Sequence, residues 1–164
     1  MNDQSQYLTF TLDGDEYAVE VTQVREVLEM TELTKIPRMP GWMKGVINIR
    51  GSVVPVVDLR TRFGMPEIQL TMDSRIVVMD IQAGEDQLVL GCLADSVQEV
   101  ITLPGEQIDP PPRMGTRLDS DFITGVGKRD DQFIILLNMS RVFTQDDYLE
   151  LGQTKAGSQT VPAS

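Results

Sequence analysis

Few side chains in this 164-residue chain have the types and spacing that covalent or metal chemistry requires. Histidine is absent, which removes every Ser-His and Cys-His nucleophile pair and every His-ligated metal centre. Acidic residues cluster as Asp13-Gly14-Asp15-Glu16, Asp119-Ser120-Asp121 and Asp130-Asp131. The first lacks the glycine and closing glutamate of a calcium loop, and the other two read as solvated turns. Gly45 to Gly51 lacks the Lys-Ser/Thr pair of a phosphate loop. Cys92, the only cysteine, lies in Leu90-Gly91-Cys92-Leu93-Ala94 and reads as a small buried hydrophobe. No catalytic residue, metal ligand or cofactor is expected, so the chemistry left is recognition.

Arg50 lies at a Gly-flanked turn between two apolar runs, where residue type alone reads as an ordinary solvated arginine. A guanidinium there offers a fork of donors to a partner's carbonyls or carboxylates, or braces its own turn. Val24, Glu26 and Val27, with Val97 and Val100 further on, form a candidate set. Accessible aliphatics beside few charges suit a groove that receives an amphipathic helix, although the same valines would serve a core. Charge is unevenly spread: residues 35–62 hold six basic residues and one acidic, while residues 1–31 hold seven acidic and one basic. Such asymmetry can orient a partner. Trp42, the sole tryptophan, is read as a packing residue, and Asp58 as the cap of the turn that follows it.

The elements that must position these residues are mostly strands. Tyr7–Leu12 alternates, Asp13-Gly14-Asp15 turns, and Tyr17–Val21 alternates back, a hairpin pattern. Further strand-like runs are 46–49, 53–57, 75–81, 87–93, 97–103 and 133–138. Pro55 inside one of them suggests an edge or bulged position. Asp58–Gly64 reads as one capped turn, and Thr144-Gln145-Asp146-Asp147 as a capping box before a short C-terminal helix that stops at Gly152. Residues 152–164 have no periodicity and read as a flexible tail.

The chain also repeats itself. At an offset of 80, Trp42-Met43-Lys44-Gly45-Val46 lies over Phe122-Ile123-Thr124-Gly125-Val126, Val54–Leu59 over Ile134–Met139, and Phe63 over Phe143. At an offset of 73, Val24-Arg25-Glu26-Val27 lies over Val97-Gln98-Glu99-Val100. Two similar β halves, about 1–66 and 75–145, with interleaving at their edges left open, are expected within one domain of residues 1–151, with a groove between them.

The run Lys44-Gly45-Val46-Ile47-Asn48-Ile49-Arg50-Gly51-Ser52-Val53-Val54-Pro55-Val56-Val57-Asp58-Leu59-Arg60 resembles the signature of the CheW family, adaptors of bacterial chemotaxis. Val24–Val27, Leu90–Val100 and Phe122–Gly127 extend the resemblance over about residues 6–150. It implies an all-β fold of two SH3-like, five-stranded barrel subdomains related by a pseudo-two-fold axis. It also implies two partners, the cytoplasmic signalling tip of a chemoreceptor and the regulatory domain of a CheA-type histidine kinase. Arg50 matches an arginine implicated in receptor coupling. The second half departs from the signature, with Lys128-Arg129-Asp130-Asp131 in place of Asn48-Ile49-Arg50-Gly51.

Net charge −11 and 5% aromatic residues argue against a nucleic-acid-binding barrel. No run approaches 18 apolar residues and the N-terminus lacks a basic-then-apolar leader, so neither membrane insertion nor export is expected. The expectation is a cytoplasmic, non-catalytic adaptor reaching membrane arrays through protein contacts. Alternatives are an adaptor of another chemosensory-type pathway such as surface motility, a small-ligand or single-stranded nucleic-acid-binding barrel, or a hydrolase using paired carboxylates.

Overall fold

Alternating and β-branched runs give eleven strands in a computed structural model that describes residues 5–83, 85–110, 122–144, 146–147 and 151. The strands are β1 (Ser5–Leu12), β2 (Asp15–Glu20), β3 (Val24–Glu29), β4 (Met43–Ile49), β5 (Ser52–Asp58) and β6 (Arg75–Ala83). They continue as β7 (Asp86–Ala94), β8 (Ser96–Leu103), β9 (Ile108–Asp109), β10 (Ile123–Arg129) and β11 (Gln132–Leu137). One helical turn, α1 (Leu59–Arg62), follows β5. The sheets run β8-β1-β2-β11-β10-β9 and β3-β6-β7-β5-β4, so the fold is the expected all-β pair of SH3-like subdomains.

The two sheets have the same plan. Each places an edge strand beside an antiparallel hairpin, β8 beside β1–β2 and β3 beside β6–β7. Each hairpin then pairs in parallel with a second hairpin, β2 with β11 and β7 with β5. The repeats therefore exchange strands: β1–β2 completes the sheet of β8–β11, and β6–β7 completes the sheet of β3–β5.

Hydrogen bonding repeats at the same offset. Met43↔Val57 and Gly45↔Val56 flank a bulge, and Ile123↔Leu137 and Gly125↔Leu136 flank its counterpart 80 residues on. Asp58 N–H donates to Trp42 O and Asn138 N–H to Phe122 O, both at 2.7 Å. Asp58 Oδ1 accepts the Arg60 N–H as Asn138 Oδ1 accepts that of Ser140, so each hairpin ends in a capped turn. Asp58 is wholly buried and also accepts from Thr61 Oγ1 and from Ile68 N–H.

Two differences from the sequence reading have clear causes. The sheet that ends in β9 has six strands and not five, because Ile108 and Asp109 pair with β10; in the other sheet a single bridge, Thr34 to Val46, stands at that place. Pro55 lies in an interior strand and not at an edge. Its opposite residue, Val46, turns both backbone groups to Thr34, and the β5–β7 ladder begins only at Val56, so no ladder bond needs the missing Pro55 N–H.

The main core joins both repeats, from Phe10 and Tyr17 to Val77, Leu90, Leu137 and Phe143. Two aromatic pairs cross the repeat, Trp42 on Phe143 within the core and the partly buried Phe63 on Phe122 packed against it, each with ring centroids 4.7 Å apart. Trp42 and Cys92 are buried as expected. Thr144 and Asp147 exchange the two bonds of a capping box, and Asp146, Asp147 and Leu151 are helical; the rest of that helix and residues 152–164 lie outside the described residues.

Candidate functional site

The tip between β4 and β5 is built by Asn48 and Gly51 and occupied by Arg50. Asn48 Oδ1 accepts the Gly51 N–H at 2.8 Å, and Arg50 and Gly51 take φ of 50° and 91°. Positive φ at both central residues is the hairpin geometry that matches strand twist. For Arg50, which has a Cβ, it is an unfavourable backbone state costing roughly 1–2 kcal/mol. The strained residue has a side chain that is 76% exposed.

Arg50 does not stand alone. Its guanidinium forms an ion pair with Glu26 on β3, whose side chain is 25% exposed. Beside Glu26, Arg25 Nε donates to both Asp80 oxygens at 2.8 and 2.9 Å. Arg25, Glu26, Arg50, Val53, Val78 and Val89 line a shallow hollow of about 290 Å³, with apolar floor and charged rim. Strands β3 to β7 and the β4–β5 tip supply it, so one sheet holds the whole site.

The structure thus brings together Glu26 and Arg50 of the residues proposed from sequence. Val24 is half-buried against the main core, and Val27 is exposed on the same strand. Val97 and Val100 repeat this arrangement on β8, an edge strand of the other sheet: Val97 against the core, Val100 half exposed. Arg25, Val53 and Val89 were not singled out from sequence. Their contribution depends on strand register, although Arg25 adjoins Glu26 and an outward Val53 follows directly from the turn at Arg50.

The repeat gives this hollow a counterpart. Thr11, Gly14, Asp15, Glu16, Gln98, Gln132 and Phe133 line a second depression of about 460 Å³. Gln98 stands where Arg25 does, and Gln132 and Phe133 stand where Ser52 and Val53 do. The tip there carries Asp130, with φ of 58°, in place of Arg50. Position is conserved within the molecule while charge is inverted.

Buried titratable groups elsewhere fit packing. The Cys92 thiol is pushed up to about 12 by burial, which leaves it protonated and unreactive in the fold. The Tyr7 and Tyr17 hydroxyls are raised, first by burial and then by nearby carboxylates, Glu20 for Tyr7 and Asp15 for Tyr17. No helix among the described residues is long and apolar enough to cross a membrane.

Two SH3-like sheets of one plan, which exchange hairpins around a shared core and each carry a surface hollow, define a two-lobed, all-β class of protein. The CheW-like domain family matches residues 6–147, and the chain belongs to the CheW family. It is 30% identical over 142 residues to the chemotaxis protein CheW of Klebsiella aerogenes, covering 87% of this chain and 83% of that one. The probable chemotaxis protein CheW of Rhizobium etli is 31% identical over 142 residues, 87% and 89% of the two chains. Among solved structures, the scaffolding protein TtCheW of Thermoanaerobacter tengcongensis superposes with a TM-score of 0.77 at 34% identity, covering 90% of this chain and 96% of that one.

Proposed function

We propose that this chain is an adaptor that holds a chemoreceptor's cytoplasmic tip and a CheA-type kinase's regulatory domain, and makes kinase activity follow receptor state. Family membership supports the reading, because the relatives are named for chemotaxis and a similar structure is titled a scaffold. The observation that carries it to residues is Arg50: an exposed cation held in an unfavourable backbone state at the mouth of a hollow lined by valines and charged side chains. Turn geometry alone would be met more cheaply by asparagine or glycine, so the side chain is retained for what it touches. Its bond to Glu26 keeps the guanidinium over the hollow until a partner's carbonyl or carboxylate replaces that carboxylate. Association with membrane arrays would then follow from protein contacts.

Titration calorimetry against the kinase regulatory domain and against a receptor signalling-tip fragment, both from the same source, tests the reading. Saturable one-to-one binding to both is expected. A folded sample that binds neither overturns it. Arg50→Glu should leave the melting transition in place and weaken one of the two contacts by about tenfold or more. Binding of both partners at wild-type strength would remove Arg50 from the interface.

A further inference from the structure

The short turn α1 carries an arginine that leaves its own sheet. The Arg60 side chain is only 12% exposed. Its Nη1 donates to both Asp95 oxygens at 3.1 and 3.0 Å, its Nη2 to Asp13 Oδ1 at 3.3 Å, and its Nε to Pro66 O at 2.9 Å. Asp95 is the one residue between β7 and β8, where the chain passes from one sheet to the other. Asp13 opens the β1–β2 turn with φ of 52°, and its N–H donates to Asp95 Oδ2 at 2.6 Å. The Asp95 N–H in turn donates to Thr11 O at 3.0 Å. One guanidinium therefore gathers a turn of one sheet, the crossover between sheets, and the end of a hairpin in the other.

The second repeat has no equivalent of this contact by length alone. The residue 80 positions on is Ser140, too short to span two carboxylates. The clamp is one-sided, and the turn it holds continues through Gly14, Asp15 and Glu16, which rim the second depression.

We propose that Arg60 is a positioning residue that fixes the β1–β2 turn and the β7–β8 crossover against the opposite sheet, and so locks the angle between the sheets that carry the partner contacts. The proposal rests on the adaptor reading. A change at a surface on one sheet reaches the other only if the two move as one body. A planar fork bonded to two carboxylates fixes direction as well as distance, which a lysine ammonium cannot reproduce. Because Arg60 lies outside the Arg50 hollow, its loss should spare binding and damage coupling.

The experiment compares wild type, Arg60→Gln, Arg60→Lys and Asp13→Asn in the full chain. Amide hydrogen exchange at Asp13, calorimetric affinity for each partner, and receptor-dependent kinase control in a reconstituted mixture are read together. Arg60→Gln should speed exchange at Asp13 by about tenfold, keep both affinities within about twofold, and reduce receptor-dependent control by about fivefold or more. Arg60→Lys should fall on the side of the glutamine variant, and Asp13→Asn, an exposed change that spares Arg60, should show a smaller loss of the same kind. Wild-type control in variants whose turn exchanges faster overturns the proposal. So does loss of binding in proportion to loss of stability, which marks an ordinary structural contact. Absence of control with wild type sinks the adaptor reading instead, which keeps the two failures apart.

Discussion

At the scale of single residues, the carboxylate of Asp58 shows how local chemistry serves distant geometry. Fully buried, it accepts from Arg60 N–H, Thr61 Oγ1 and Ile68 N–H, which fixes the turn that launches Arg60 and the strand behind the Arg50 hollow. Asp58→Ala orphans the buried Ile68 N–H and should cost roughly 3 kcal/mol in urea unfolding. Its capping role was legible in the sequence, because an acceptor is needed where a strand gives way to a turn. The exposure of Arg50 was legible too; its pairing with Glu26, 24 residues earlier, was not, since only register brings β3 and the β4–β5 tip together. Cys92 sets a pH dependence. Its thiol ionises near 9.0 when unfolded and near 12 when folded, so between those values the unfolded chain alone releases the proton. The Cys92 contribution to stability is intact below pH 9 and should fall by about 1.4 kcal/mol per pH unit between pH 9 and about 12. Tyr7 and Tyr17 act in the same direction at higher pH. Urea midpoints followed from pH 8 to 11 should decline more steeply in wild type than in Cys92→Ala.

At the scale of elements, the bulges of β4 and β10 are the parts most intolerant of change. A Cβ on Gly45 would stand 2.6 Å from Thr34 O, with φ already at 152°, and one on Gly125 would stand 2.8 Å from Asp109 O. Each alanine substitution should lower stability by about 2 kcal/mol or more, whereas Gly41→Ala, with nothing within 4 Å, should stay within about 0.5 kcal/mol. Denaturant unfolding of the three variants checks the ranking. Strands with apolar alternation, such as β1, or with near-continuous aliphatic runs, such as β6 and β7, could be read directly from the chain. β3, β9 and β10 could not: β3 is an edge strand whose charges and aliphatics fall in neighbouring pairs with a register shift after Val24, β10 carries two glycines and a Lys-Arg end, and β9 is two residues long. Pro55 misled for a related reason, as its N–H is dispensable only in the particular register that turns Val46 toward Thr34.

At the scale of the whole molecule, the repeat was visible in the sequence, and interleaving of its halves was left open, while the strands that are exchanged were not identified. Self-similarity reports that two segments prefer the same local structure; it carries no information on whose strands they pair with. The exchange makes the two sheets one unit, sewn by the Trp42–Phe143 and Phe63–Phe122 pairs. Unfolding followed by Trp42 fluorescence and by far-ultraviolet circular dichroism should therefore give coincident transitions. Separate midpoints would show that the sheets come apart independently. Phe143→Ala should cost about 3–5 kcal/mol and lower both signals together, because its ring belongs to one repeat and packs on the other.

The strand exchange also sets an order of events on the ribosome. The sheet of β3 to β7 is complete once residue 94 has emerged, but β1–β2 has to wait for its neighbours β8 and β11, the second of which ends at Leu137. Through that interval a hairpin with Tyr17, Ala18 and Val19 on its open edge is exposed to neighbouring nascent chains. The architecture that gives both sheets one shared core leaves the β1–β2 hairpin the last to find its partner strand, and places the hazard of misassembly there.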